Sequence, residues 1–122
     1  MAKRNQLDQR RSDCPIACAL DIVGDRWTLL VIRDLVLGTR QFEEFLASPE
    51  GIASNILAAR LKMLESMGYV KKSKDADDRR KSVYELTEAG QPLRKLVKQV
   101  AKWGLENIAE TELLPEAQKR MR

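Results

Sequence analysis

A chain of 122 residues, 43% hydrophobic and 33% charged, is long enough to bury one core without covalent staples and polar enough to fold as a single domain in water. Its formal net charge is only +4, its two cysteines are too few and too close for a disulfide framework, and it has no histidine, which removes His-based triads, His general bases and the usual His-containing zinc sites. No glycine-rich phosphate loop, no apolar run near the ~20 residues of a membrane span and no secretory signal in the polar start MAKRNQLDQRRSD leave, as the expectation, a cytoplasmic protein that is not an enzyme and uses neither cofactor nor metal.

Residues 1–12 read as a basic flexible arm, with five charges of which four are basic. Cys14-Pro15 opens the first helix, because proline is favoured where its missing N–H has no partner to lose. Ile16, Leu20 and Val23 recur at helical spacing, and Gly24 supplies the stop. Asp25 is a good N-cap for a second helix, Arg26 to Leu37, which is apolar nearly all round and therefore central. Gly38 ends it. Thr39 to Gln41 adds a short strand or turn before a brief helix over residues 42–47, with Phe42, Phe45 and Leu46 on its buried side.

Ser48-Pro49-Glu50-Gly51 is a strong turn signal, and the helix that follows, Ser54 to Met67, buries Leu57, Leu61 and Leu64. Two helices joined by such a turn form a helix-turn-helix unit. Gly68 stops the second of them. Strands Tyr69 to Ser73 and Ser82 to Leu86 then flank a charged hairpin tip that ends in Arg79-Arg80-Lys81. Thr87 begins the last helix, which has Glu88 in its first turn and runs to Ala109, about 33 Å at ~1.5 Å per residue. Leu93, Leu96, Val97, Val100 and Trp103 form its apolar stripe, widened by Ala101, Leu105 and Ile108. One small core does not cover such a face, so pairing with a second subunit is the economical explanation, with a fold-back of Leu113-Leu114 covering part of it. Pro115 starts a short terminal helix or tail.

The predicted fold is mainly α with a small β-wing: a winged helix-turn-helix of the α+β kind over residues 13–110, its N- and C-terminal helices forming a dimer interface, with residues 111–122 as the C-terminal helix or tail. Placing Leu57, Leu61 and Leu64 inward turns Asn55, Ala59, Lys62 and Ser66 outward, with Ser54 and Ala58 on one flank and Arg60 on the other. The leading turns of a recognition helix reach base edges, which selects Ser54, Asn55, Ala58, Ala59 and Lys62. Asparagine bonds adenine bidentately, alanine permits close approach and touches a thymine methyl, and Lys62 suits a phosphate or guanine. The plainer reading of Ser54 and Asn55 is helix-start chemistry.

Residues 71–81 carry six basic and three acidic side chains. Arg79 and Arg80 suit the minor groove or its phosphates and Lys81 a flanking phosphate, while Asp75, Asp77 and Asp78 serve the turn; the plainer reading is a solvated loop. Cys14 is a candidate redox sensor, because a helix N-cap near Arg10 and Arg11 stabilises a thiolate. Cys18, one turn on, reads as buried. The acidic residues are scattered, and none sits in an obviously apolar setting.

Taken in order, these segments resemble the HxlR family of bacterial winged-helix transcription regulators, relatives of the MarR type. The resemblance rests on Cys14-Pro15, Ala19 to Gly24, Trp27 to Leu35, then Gly38, Arg40, Phe42 and Leu46. It continues through Gly51 to Leu57, Arg60-Leu61, Leu64-Glu65, Gly68-Tyr69-Val70 and Tyr84 to Gly90. It covers about residues 13–105, and departs at the tip, where Asp77 to Lys81 is closer to the MarR type. It implies a homodimer on a near-palindromic operator, with the helix from Ser54 as recognition helix and the hairpin near Arg79 as wing. It also implies that Cys14 holds the position some relatives use to sense electrophiles, quinones or oxidants. With Arg40 and Arg60 added to the residues above, the expectation is a dimeric regulator of double-stranded DNA, more simply a repressor, answering to an oxidant or small-molecule effector. The alternative is a winged-helix protein-interaction module without specific DNA readout.

Overall fold

Residues 10–115 are described by the computed structural model, as five helices and one two-stranded antiparallel sheet. Most of the expected basic arm and of the terminal tail lies outside the described residues. Helix α1 is Pro15–Val23, with Pro15 in its first turn, an extended Cys14 as N-cap and the Gly24 amide closing on the Leu20 carbonyl at 2.8 Å. Helix α2 is Thr28–Val36, two residues shorter at its start than the sequence suggests. Its N-cap is Trp27 and not Asp25, whose carboxylate accepts from the Trp27 and Thr28 amides at 3.0 and 3.1 Å and from the Thr28 hydroxyl at 2.5 Å, holding Arg26 and Trp27 in a turn ahead of the helix.

Helix α3, Phe42–Leu46, starts with a capping box in which the Glu44 carboxylate accepts from the Gln41 amide at 2.9 Å. Helix α4, Ser54–Ser66, ends in a Schellman motif: Gly68 takes φ +83°, the Tyr69 amide reaches the Leu64 carbonyl and the Gly68 amide the Glu65 carbonyl, each at 3.0 Å. Strands β1, Val70–Lys74, and β2, Ser82–Leu86, pair antiparallel from Val70 opposite Leu86 to Lys74 opposite Ser82. Gln41 adds one isolated bridge to Val83, so the segment before α3 joins the sheet through that bridge alone and forms no strand of its own.

The core is built around α2, which packs against α1, α4, α5 and β2. Ile32, Phe45, Leu57, Leu61, Leu64 and Val70 are fully enclosed there, and the Phe45 ring meets Tyr84 edge-on at 6.3 Å, joining α3 to the sheet. Burying these side chains is the main stabilising term, at roughly 1.5–3 kcal/mol each.

The last helix departs most from its predicted bounds. Helix α5 is Leu93–Asn107, about 22 Å long rather than 33 Å, because it begins six residues after Thr87 and ends two before Ala109. Between them the chain runs in successive i to i+3 bonds, Gly90 to Thr87, Gln91 to Glu88 and Leu93 to Gly90. Pro92 has no N–H with which to extend an α-helical ladder back to Glu88. The Thr87 hydroxyl donates to the Gly68 carbonyl at 2.5 Å, and a Cβ on Gly90 would stand 2.2 Å from the Tyr69 carbonyl oxygen. That contact pins the turn to the end of α4. Gly90→Ala is expected to destabilise the protein by about 1–3 kcal/mol, read as a lower urea midpoint; an unchanged midpoint would show that the turn gives way freely.

Candidate nucleic-acid interface

Helix α4 presents the face that its sequence implies. Leu57 and Leu64 are 0% exposed and Leu61 1%, which leaves Ser54, Asn55, Ala58, Ala59 and Lys62 exposed on the opposite side. Ala53, not Ser54 or Asn55, is the N-cap, and no side chain caps the helix. The hydroxyl of Ser54, the amide of Asn55 and the ammonium of Lys62 bond no other group among the described residues. Helix-start chemistry therefore does not occupy them.

The wing is tethered at its base. Gln41 donates its side-chain amide to the Asp75 carboxylate at 2.6 Å, and the Tyr84 amide donates to the Arg40 carbonyl at 2.9 Å. Asp75 also accepts from the Asp77 amide at 2.8 Å, and Asp78 from the Arg80 amide at 3.1 Å, so these acids shape the turn. The Asp77 amide, then opposing burial, then Gln41 leave the Asp75 carboxyl below its usual range, and Arg80 does the same for Asp78.

The basic residues divide by partner. Arg79 and Lys81 are exposed and make no side-chain hydrogen bond or close ion pair among the described residues, although the Lys81 charge also helps to lower Asp78. Arg80, by contrast, donates Nε and a terminal nitrogen to Asp78 at 3.0 and 3.1 Å. Arg40 pairs with Glu85 at 3.1 Å, and Lys71 shares that carboxylate at 3.2 Å. Arg60 is half-buried, its Nε 3.3 Å from Asp25 in an ion pair whose geometry leaves that N–H without a hydrogen bond. Lys74, exposed at the end of β1, is a further cation that counting charges alone did not single out.

Asp34 corrects the expectation that no acid sits in an apolar setting. It is 6% exposed on α2 among Val31, Leu35 and Val36, the neighbours that would have flagged it, and accepts from the Ser48 hydroxyl and from Arg33 Nε at 3.0 Å. Burial pushes its carboxyl up, against the pull of Ser48 and Arg33. Glu50 is held below the usual range by the two-nitrogen fork of Arg33. At Asp25 burial opposes the charge, but Thr28, the Trp27 and Thr28 amides and Arg60 together outweigh it and lower the carboxyl.

The signs set the pH response. A lowered carboxyl contributes stability that is present above its unfolded value, about 4, and lost as pH falls through the folded value; a raised one contributes stability that is lost as pH rises through the folded value. Asp25→Asn is thus expected to soften the acid loss of stability below about pH 4, and Asp34→Asn to gain on the wild type as pH rises from about 4 towards neutrality. Urea midpoints across that range check both, and variants that track the wild type throughout would remove this account.

Cys14 is exposed at the α1 N-terminus, and Cys18 is half-buried rather than buried, its thiol donating to the Ser12 carbonyl at 3.2 Å. The arginines expected to face Cys14 are committed to carboxylates: Arg10 to Asp13 at 3.0 Å and Arg11 to Asp21 at 2.5 Å. Large apolar side chains stay uncovered: Ile16 and Leu20 on α1, Val100, Trp103 and Leu105 on α5, and Ile108 just beyond it. Leu113 and Leu114 are themselves only half-buried. No helix among the described residues is long and apolar enough to cross a membrane.

A two-helix unit whose second helix bares one face, followed by an antiparallel wing, defines the class: a winged helix-turn-helix protein. The chain belongs to the HxlR-like helix-turn-helix family, whose pattern residues 22–112 match. It is 34% identical over 108 residues to MT3179 of Mycobacterium tuberculosis (strain CDC 1551 / Oshkosh), an uncharacterized HTH-type transcriptional regulator, a match that spans 88% of this chain and 68% of that one. The fold superposes on the redox regulator HypR in its reduced form with a TM-score of 0.69, at 28% identity over 79% of this chain and 95% of that one. On the reduced transcriptional regulator YodB from B. subtilis the TM-score is 0.64, at 28% identity over 83% of this chain and 100% of that one. The protein is accordingly a DNA-binding transcriptional regulator and not an enzyme.

Proposed function

We propose that the protein is a sequence-specific repressor that binds a near-palindromic operator as a homodimer. Ser54, Asn55, Ala58, Ala59 and Lys62 meet base edges and nearby phosphates in the major groove. Arg79 and Lys81 grip phosphates, with Arg40 and Arg80 contributing as they leave Glu85 and Asp78, and Arg60 chiefly bracing α4 against Asp25. The observation that carries this reading is the α4 face: small and polar, exposed, and without intramolecular partners beside a cationic wing. A second copy of the chain would cover the exposed apolar side chains of α1 and α5 and place two recognition helices one DNA turn, ~34 Å, apart. Residues 13–110 then form the reading and dimerising unit, in the cytoplasm, and a dimer seated on a promoter most simply blocks polymerase.

HypR is a redox regulator by name, which supports a thiol response here, and exposed Cys14 is the thiol we assign to it. Genome-wide mapping of binding sites with the purified protein, with and without a thiol oxidant, tests the reading. Near-palindromic sites whose occupancy falls steeply with salt are expected, and oxidation should change occupancy in the wild type but not in Cys14→Ser. No binding to any duplex at low salt would instead point to a protein-interaction module.

A further inference from the structure

Helix α4 begins without a side-chain cap, and apart from the Arg60–Asp25 ion pair at its middle what anchors it is aliphatic: Leu57, Leu61 and Leu64. Aliphatic burial is non-directional, so it resists separation more than a small tilt or slide. The angle at which α4 leaves its turn therefore calls for directional bonds, and α2 supplies them. Asp34 accepts from the Thr39 amide through its backbone carbonyl, at 2.9 Å, on the entry side of α3, and from the Ser48 hydroxyl through its carboxylate on the exit side. Arg33 beside it donates Nε to Asp34 and two further nitrogens to Glu50, at 2.9 and 2.8 Å. Ser48 and Glu50 belong to the turn that launches α4.

We infer that this latch, Arg33 and Asp34 on α2 with Ser48 and Glu50 on the turn, sets the angle of α4 and is thereby a specificity-determining positioning group; the inference rests on the base-reading role proposed above for α4. None of the four residues belongs to the proposed base-reading face. Their effect is leverage: Lys62 lies eight residues beyond Ser54, about 12 Å along the helix axis, so a ~10° tilt at the turn displaces it by about 2 Å. Productive site geometry tolerates only about 0.5 Å and 10–20°. A tilt of that size would spoil base contacts while leaving phosphate attraction, which needs no such register, almost intact.

The test uses the full-length protein. Binding-site selection from a random-core duplex library defines the duplex that the wild type enriches. Affinities for that duplex and for a scrambled one are then measured with Asn55→Ala, Ser48→Ala, Ser48→Thr and Glu50→Gln, well below each variant's melting temperature. Ser48→Ala and Glu50→Gln are expected to lose about tenfold of the enriched-to-scrambled ratio, the equivalent of one base contact, with scrambled affinity and salt slope unchanged. Ser48→Thr, which keeps the hydroxyl, should hold the wild-type ratio. A latch that only stabilised the fold would move the melting temperature and leave the ratio alone. If Ser48→Ala does not fold, Glu50→Gln and Ser48→Thr decide the matter. A wild-type ratio in folded Glu50→Gln, or in folded Ser48→Ala, while Asn55→Ala has lost it, overturns the latch alone. Should Asn55→Ala also keep the ratio, or the wild type enrich no sequence, base reading by α4 falls and the latch falls with it.

Discussion

Trp103→Asp is expected to yield a monomer that binds operator DNA at least about a hundredfold more weakly than the wild type. Trp103 is 61% exposed on α5, surrounded in sequence by Val100, Leu105 and Ile108 that are also uncovered. Covering that much of an indole is worth about 3 kcal/mol, and a two-fold interface counts it twice. An aspartate there forfeits this term and must also lose water from a charge, again twice. DNA binding suffers because the second recognition helix is no longer held at high effective concentration once the first has docked. Sedimentation at micromolar concentration, paired with binding to the full operator and to a half-site, checks both effects. A Trp103→Asp protein that still sediments as a dimer would move the interface elsewhere.

The second large effect is expected at Asn55. Its side chain is exposed in the first turn of α4 with no competing intramolecular bond, so Asn55→Ala should relax preference at one operator position by about 1–3 kcal/mol and leave the salt slope unchanged. Arg79→Ala should do the opposite, weakening binding to every sequence and lowering the salt slope by about one. Arg80→Ala is expected to do less than Arg79→Ala, because reaching a phosphate from Arg80 first requires giving up Asp78. Equal losses at Arg79 and Arg80 would mean that the Asp78 pair opens without cost on DNA. Comparing salt dependence for the three variants separates reading from grip.

Much of this architecture is legible in the chain because it depends on close neighbours. Pro15 and Gly24 bound α1, Gly68 ends α4 through bonds to Leu64 and Glu65, and the i, i+4, i+7 leucines choose the face of α4 that is buried. The start of α5 is not legible in this way, for the converse reason. Pro92 is a local part of its delay to Leu93, but the rest follows from Gly90 pressing on the Tyr69 carbonyl and from Thr87 bonding Gly68, contacts made with a segment the local pattern does not include.

The same distinction governs the interface. Composition and periodicity by themselves determined a basic winged helix-turn-helix with Ser54, Asn55, Ala58, Ala59 and Lys62 turned outward, because a helix's period decides which side chains share a face. The tertiary structure decided which charges are at liberty. Arg40 meets Glu85 from 45 residues away, Gln41 meets Asp75 from 34, and Arg33 meets Glu50 from 17, so none of these pairs is visible in a local window. A charge is free only if nothing reaches it through space, and that is settled by the packing of α2, α3 and the wing rather than by the order of residues along the chain.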